Sequence, residues 1–290
     1  MKDITKDIIE LIRLTSTDLP SDVEGALREA FQREETGSAA RGALETILQN
    51  IEISRRDSTP ICQDTGTPLF FVSVPAENSF AGIRHQITEA VIEATKRSYL
   101  RPNAVDALAE INTGNNVGGR DFPVIHFQEA AGDVLTMNLI LKGGGSENVG
   151  TQYALPNAQL HAARDLDGVR KVVLHAVQKA QGQGCAPGIL GVAIGGDRSS
   201  SYEASKAVLL RKLSDCHQYP ALADLERRIM AQANQLGIGP MGFGGCTTVL
   251  GVKIAALTRH PASYFVTVSY MCWACRRRRM IVSDDKIVYE

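Results

Sequence analysis

The sequence predicts an α/β protein with a mixed-sheet core, flanking helices and a helical N-terminal segment. Up to about residue 58, apolar side chains recur at the three- and four-residue spacing of a helix face. Beyond it, short β-branched and aromatic runs alternate with amphipathic stretches of helical length. Several of these runs end in glycine-rich junctions, at 143–145, 184–188, 195–196 and 237–245. With no internal repeat and no linker, the expected organisation is one domain over 1–290, helical to about 58 and mixed α/β from about 59.

The elements follow in order. Ser21-Asp22-Val23-Glu24 has the form of a capping box, and Val23, Leu27 and Phe31 behind it make one apolar face. A second helix is expected over 38–51, with Leu44, Ile47, Leu48 and Ile51 inward. Residues 69–74 read as a strand and 81–99 as a helix that Pro102 brings to an end. The runs 122–129 and 134–141 read as a hairpin across Ala131-Gly132-Asp133. A helix over 166–181, a strand over 189–194 and helices over 202–213 and 221–236 come next, the last closed by Gly237. Strands over 248–257 and 264–272 precede a terminal hairpin, 280–289, turning at Ser283-Asp284-Asp285-Lys286.

Composition excludes several classes of function. The 290 residues are 44% hydrophobic and 22% charged, ordinary for a globular chain with a sizeable core. Lys and Arg number 31 against 32 Asp and Glu, so bulk charge gives no attraction to nucleic acid or to an anionic membrane. No apolar run is long enough to span a bilayer, and Met1–Asp7 lacks the apolar centre of a secretory signal. Six unevenly spaced cysteines do not form a disulfide framework, so a reducing cytoplasm is the expected setting.

Three of those cysteines stand in polar, glycine- or proline-rich junctions instead of apolar stripes. They are Cys62 in Cys62-Gln63-Asp64-Thr65-Gly66, Cys185 in Gly184-Cys185-Ala186-Pro187-Gly188, and Cys272 in Tyr270-Met271-Cys272-Trp273. A structural thiol behaves as a small hydrophobe, whereas a metal-binding thiolate needs polar neighbours and backbone amides. Cys272-Trp273-Ala274-Cys275 also has the C-x-x-C form, but a zinc site wants a second ligand pair and none is spaced for it. The arginines 276–279 that follow read as solvated or subunit-facing charge, and Cys216 as an ordinary loop thiol. The glycine junctions do not match a phosphate loop: none has the Walker spacing with its lysine.

Cys62-Gln63-Asp64-Thr65-Gly66, Lys142-Gly143-Gly144-Gly145-Ser146-Glu147-Asn148, Gly237-Ile238-Gly239-Pro240, Gly244-Gly245-Cys246-Thr247-Thr248 and Arg259-His260-Pro261-Ala262-Ser263 together resemble the iron–sulfur hydro-lyases. These are the class I fumarate hydratases and the L-tartrate dehydratases, and the resemblance spans nearly the whole chain. It implies a [4Fe–4S] cluster held by Cys62, Cys185 and Cys272, with one iron open as a Lewis acid. It further implies Asp64 as the acid/base group, and Gln63, Arg101, Gly145 and His260 as contacts to a small dicarboxylate substrate. The family's further C-terminal portion is expected from a separate β subunit, making this chain the α subunit of a hetero-oligomer. Gly145-Ser146-Glu147-Asn148 is more similar to the fumarase form than to the tartrate-dehydratase form, which favours fumarate, while Cys246 stands where relatives often have lysine. A non-catalytic iron–sulfur or zinc-binding module is the expectation of another class.

Overall fold

The computed structural model describes residues 3–283 and 286–290. Helices α1 (Thr5–Thr17), α2 (Ser21–Arg33) and α3 (Ala39–Asp57) form the helical start of the chain. The expected inner face of α3, Leu44, Ile47, Leu48 and Ile51, is buried, although the helix runs on past 51 to Asp57. Strand β1 (Thr67–Val74) and helix α4 (Phe80–Lys96) follow. The last turn of α4 folds back early: Ser98 takes a left-handed φ of 62°, and the Tyr99 and Leu100 amides both return to the Ala94 carbonyl.

Next come β2 (Val124–Glu129), β3 (Leu135–Lys142), α5 (Gly144–Asn148), β4 (Thr151–Ala154), α6 (Leu166–Ala180) and β5 (Gly188–Ile194). The chain ends with α7 (Arg198–Ala207), α8 (Pro220–Gln235), β6 (Val249–Ala256), β7 (Phe265–Met271), β8 (Arg277–Val282) and β9 (Ile287–Tyr289). The short elements α5 and β4 have no counterpart in the sequence reading. Helix α7 begins before 202 because Asp197 and Ser200 cap it reciprocally, each side chain accepting the other's backbone N–H. It passes into a 3₁₀ turn, Val208–Leu210, and so ends short of 213. Gly237 closes α8 with φ of 67°, as expected.

Contacts divide the chain into two compact units, each built from separate stretches. The first comprises Met1–Pro20, Gln49–Gly144 and Ala274–Glu290; the second comprises Ser21–Leu48 and Gly145–Trp273.

The first unit holds a five-stranded sheet in the order β2-β1-β3-β8-β9. The hairpin expected from 122–129 and 134–141 does not form, because β1 lies between β2 and β3. It pairs parallel to β2 and antiparallel to β3. Phe70, Val72 and Val74 of β1 and Met137, Leu139 and Leu141 of β3 alternate onto one face. There they pack with Ile8 and Ile12 of α1 and Ile83, Ile87 and Val91 of α4. The opposite face is more polar, with Phe71 stacked on His126 and Gln128 bonded to Ser73. The terminal hairpin is β8 against β9, with the Ser283 amide bonded to the Lys286 carbonyl; its turn residues Asp284 and Asp285 lie outside the described residues.

The second unit holds a four-stranded sheet in the order β4-β7-β5-β6. Every residue of β5 is buried, so both faces of this strand are covered. Leu190, Val192 and Ile194 pack with Val169, Val172 and Val173 of α6 and with Leu225 and Ile229 of α8. Helix α7 takes the other face, where Ser201 and Ser205 share hydroxyl bonds with Thr267 and Ser269 of β7. Gly191 marks how tightly α7 sits: a Cβ there would fall well inside contact distance of the Ser205 carbonyl and 2.9 Å from Leu209 Cγ.

Gly25, in the middle of α2, meets nothing within 4 Å of a Cβ position. Two glycines of the second unit should therefore respond oppositely to alanine. Gly25→Ala is expected to stabilise by about 0.5–1 kcal/mol through helix propensity. Gly191→Ala is expected to destabilise by about 1–3 kcal/mol through overpacking. Urea unfolding of both variants checks the pair.

Candidate functional site

In the first unit, Cys62 leaves a fixed point. The Ile61 amide bonds to the Ser16 carbonyl, and its carbonyl accepts the Asn50 side chain at 2.8 Å. Cys62 is then half-buried, with Gln63 and Asp64 exposed behind it. Asp64 makes an Asx turn, Oδ1 accepting the Gly66 N–H at 2.9 Å. Its Oδ2 accepts the Gly144 N–H at 2.7 Å, so backbone amides hold both oxygens. The approach requires glycine. A Cβ on Gly66 (φ 83°) would stand 2.7 Å from the Lys142 carbonyl carbon, and one on Gly143 would stand 3.1 Å from Asp64 Oδ2.

Thr65, buried beside Asp64, ties the turn to Arg101. Its Oγ1 accepts the Arg101 N–H at 3.0 Å and the Asn103 side chain at 3.1 Å. The Arg101 carbonyl is held from its other side by Asn116 Nδ2, while Asn116 Oδ1 accepts the Asn103 N–H at 2.6 Å. Asn116 is fully buried and left-handed (φ 61°), a conformation asparagine tolerates. The backbone of Arg101 is thus clamped and its side chain is exposed. Sequence reading missed Thr65 and Asn116; Asn-Asn after Gly114 signals a turn, not its burial.

Arg276 corrects an expectation. Instead of lying in solvent it is 1% exposed, and its Nη1 donates to the Asp64 carbonyl at 2.8 Å. Arg277 is buried too, because the run is not a loop: β8 begins there, and Arg277 stands opposite the buried Ile140 of β3, whereas Arg279 farther along the strand is exposed. Cys275 is likewise buried, as a core thiol would be.

In the second unit, Cys185 and Cys272 share the surroundings of Tyr270. The tyrosine is 2% exposed, and its ring occupies the space that side chains at Gly184 and Gly188 would fill. Burial, and after it the charges of Cys272 and Cys185, push the Tyr270 hydroxyl far above its ordinary value. Cys185 is left-handed (φ 56°), its amide bonded to the Gly182 carbonyl and its carbonyl to the Trp273 N–H at 3.2 Å. The 237–245 loop leans on this turn: the Met241 N–H donates to the Ala186 carbonyl at 2.8 Å. It is fixed at its far end by Glu34, a buried carboxylate that accepts the Cys246 N–H at 3.0 Å. Glu34 was also missed by the sequence reading, since it lies just past the end of α2 in a region read as packing and partner contact. Gly145 and His260 are exposed, and His260 Nδ1 accepts the Ala262 N–H at 3.1 Å.

The structure therefore brings Cys62, Gln63, Asp64 and Arg101 together in one unit, and Cys185 and Cys272 together in the other. None of the six cysteines is joined in a disulfide. In kind, the donor set fits an iron–sulfur cluster: Cys62, Cys185 and Cys272 are half-buried thiols on loops, and such clusters are held by thiolates. Among the described residues, no group of three or more His, Cys, Asp or Glu stands arranged to hold a metal ion. None of the described helices is long and apolar enough to cross a membrane.

Comparison with known proteins matches residues 5–281 to the family model described as fumarate hydratase (Fumerase). A protein of Geobacillus stearothermophilus named as a class I fumarate hydratase is 48% identical over 280 residues, 96% of this chain but 54% of the relative. One of Methanocaldococcus jannaschii, named as an L(+)-tartrate dehydratase subunit alpha, is 34% identical over 98% of this chain and 99% of its own length. The L(+)-tartrate dehydratase subunit alpha of Escherichia coli O157:H7 is 32% identical over 97% of this chain and 91% of its own length. The chain spans about half the length of the first relative and nearly all of the other two.

The clamp on Arg101 is open to test. Asn116→Ala leaves the Arg101 carbonyl and the Asn103 amide without their buried partner, an expected loss of about 2–3 kcal/mol. Denaturant unfolding measures it, and an unchanged midpoint would show that water replaces the side chain.

Proposed function

The chain belongs to the fumarate hydratase (Fumerase) family, and on that premise we propose that it is the α-type polypeptide of an iron–sulfur hydro-lyase interconverting fumarate and L-malate. The observation that carries this reading is 48% identity, over 96% of the chain, to the relative named as a class I fumarate hydratase. The chain's proposed partner is a β-type polypeptide, on the ground that two of its relatives are named as alpha subunits. A second reading, L-tartrate dehydratase, is favoured by the names of the Methanocaldococcus and Escherichia relatives; their 34% and 32% identities place it second.

We assign Cys62, Cys185 and Cys272 as ligands of a [4Fe–4S] cluster in a reducing cytoplasm. The half-buried position of these thiols on loops, outside any disulfide, and the softness of sulfur toward iron support the assignment. When bound, the cluster supplies a Lewis-acidic iron that polarises the substrate's hydroxyl.

The protein's own residues do the rest. Asp64 is the acid/base group, moving the proton on the carbon beside a substrate carboxylate. Its two amide bonds, from Gly66 and Gly144, fix the carboxylate's orientation before substrate arrives. Arg101 offers a guanidinium on a clamped backbone, suited to paired hydrogen bonds with a carboxylate. Gln63 adds an amide and Gly145 a backbone N–H. Because His260 Nδ1 accepts from Ala262, its neutral ring carries the proton on Nε2, the tautomer that donates to a carboxylate.

Anaerobic reconstitution with a β-type polypeptide tests the assignment. The expected product is brown, with about four irons per chain, and hydrates fumarate. Asp64→Asn should keep its iron and colour and lose activity by at least about 100-fold. Turnover of L-tartrate without fumarate hydration would reverse the substrate choice, and zinc in place of iron would end the hydro-lyase reading. Removing iron with a chelator should abolish turnover, and iron with thiol should restore it.

A further inference from the structure

Arg276 is a buried cation without a protein anion among the described residues. Two of the three arginines after it meet acids: Arg278 pairs with Asp18 at 3.2 Å and Arg279 approaches Glu290 at 3.9 Å. Arg276 makes no ion pair among the described residues, and its buried Nε has no hydrogen-bond partner there. Its one side-chain bond goes to the uncharged carbonyl of Asp64. A buried, unneutralised charge is expensive, so its presence calls for a compensating anion.

The guanidinium is also held in a fixed place. The Arg276 amide bonds to the Ala274 carbonyl at 2.8 Å, and its carbonyl accepts the Leu141 N–H at 3.0 Å. Strand β3 therefore sets its position. Where a Cβ of Gly143 would stand, Arg276 Nη2 is 3.6 Å away and Asp64 Oδ2 is 3.1 Å away. The acid and the base border the same volume, which is open only because residue 143 is glycine, and they do not close on each other as an ion pair.

We propose that Arg276 is a positioning residue of the dicarboxylate site: it anchors the Gln63–Asp64 turn through the Asp64 carbonyl, and its charge is answered by a carboxylate of the ligand bound over Gly143. Arginine fits both tasks, since one arm of its planar fork is spent on the carbonyl and the others remain for an anion. This rests on the dicarboxylate reading above.

The test compares wild type, R276K and R276Q in the reconstituted complex with the β-type polypeptide. It measures kcat and KM for fumarate, Kd for succinate as a non-reacting dicarboxylate, iron per chain and melting temperature. R276Q is expected to raise the fumarate KM and succinate Kd about tenfold or more, with iron and melting temperature near wild type. R276K should recover most of the affinity. R276Q binding succinate as wild type does would overturn the inference, as would equal loss of stability and affinity in both variants. If R276Q does not fold, Gly143→Ala places a methyl in the shared volume while sparing the anchor; an unchanged succinate Kd there overturns the inference too. A wild type that neither hydrates fumarate nor binds succinate overturns the functional reading itself, which is distinct from normal wild-type binding matched by R276Q.

Discussion

The close approach of two backbone segments, the Cys62–Gly66 turn and the end of strand β3, is the constraint on which the first unit's chemistry depends. A Cβ at Gly66 would meet the Lys142 backbone, so only glycine lets the turn lie against that strand end. Once it does, the Gly144 amide reaches one oxygen of Asp64 while the Gly66 amide holds the other. Thr65 then carries the register outward to Arg101, and Asn116 clamps Arg101 from behind. Asp64 and Arg101, the residues proposed for proton transfer and carboxylate binding, are thereby positioned by bonds to the main chain, which moves less than side chains do.

The second unit uses glycine for another purpose. Gly184 and Gly188 make room for the Tyr270 ring, and the ring in turn fixes the strand end that precedes Cys272 beside the turn that carries Cys185. The 237–245 loop presses on this turn through Met241 and is held at its other end by Glu34. Two thiols distant in sequence thus become neighbours through one aromatic side chain and two missing ones.

Buried polar groups mark both regions. Asn116 and Glu34 spend their capacity on backbone amides, which repays their desolvation. Arg276 differs, because its carbonyl acceptor satisfies a donor but not a charge. That asymmetry separates a residue that holds the fold from one that also awaits an anion.

By itself the sequence determined the α/β class, most of the longer helices with much of their inner faces, and the motifs of the family, since periodicity and turn chemistry are local. Leu44, Ile47, Leu48 and Ile51 are buried as their spacing predicts, and Gly237 closes its helix as glycine does. Only tertiary structure decided that β1 enters between β2 and β3, because two strands adjacent in sequence carry no mark of a third strand between them. Tertiary structure alone also buried the arginines that open β8. A run of like charges reads as solvated until a partner strand sets which side chains turn inward.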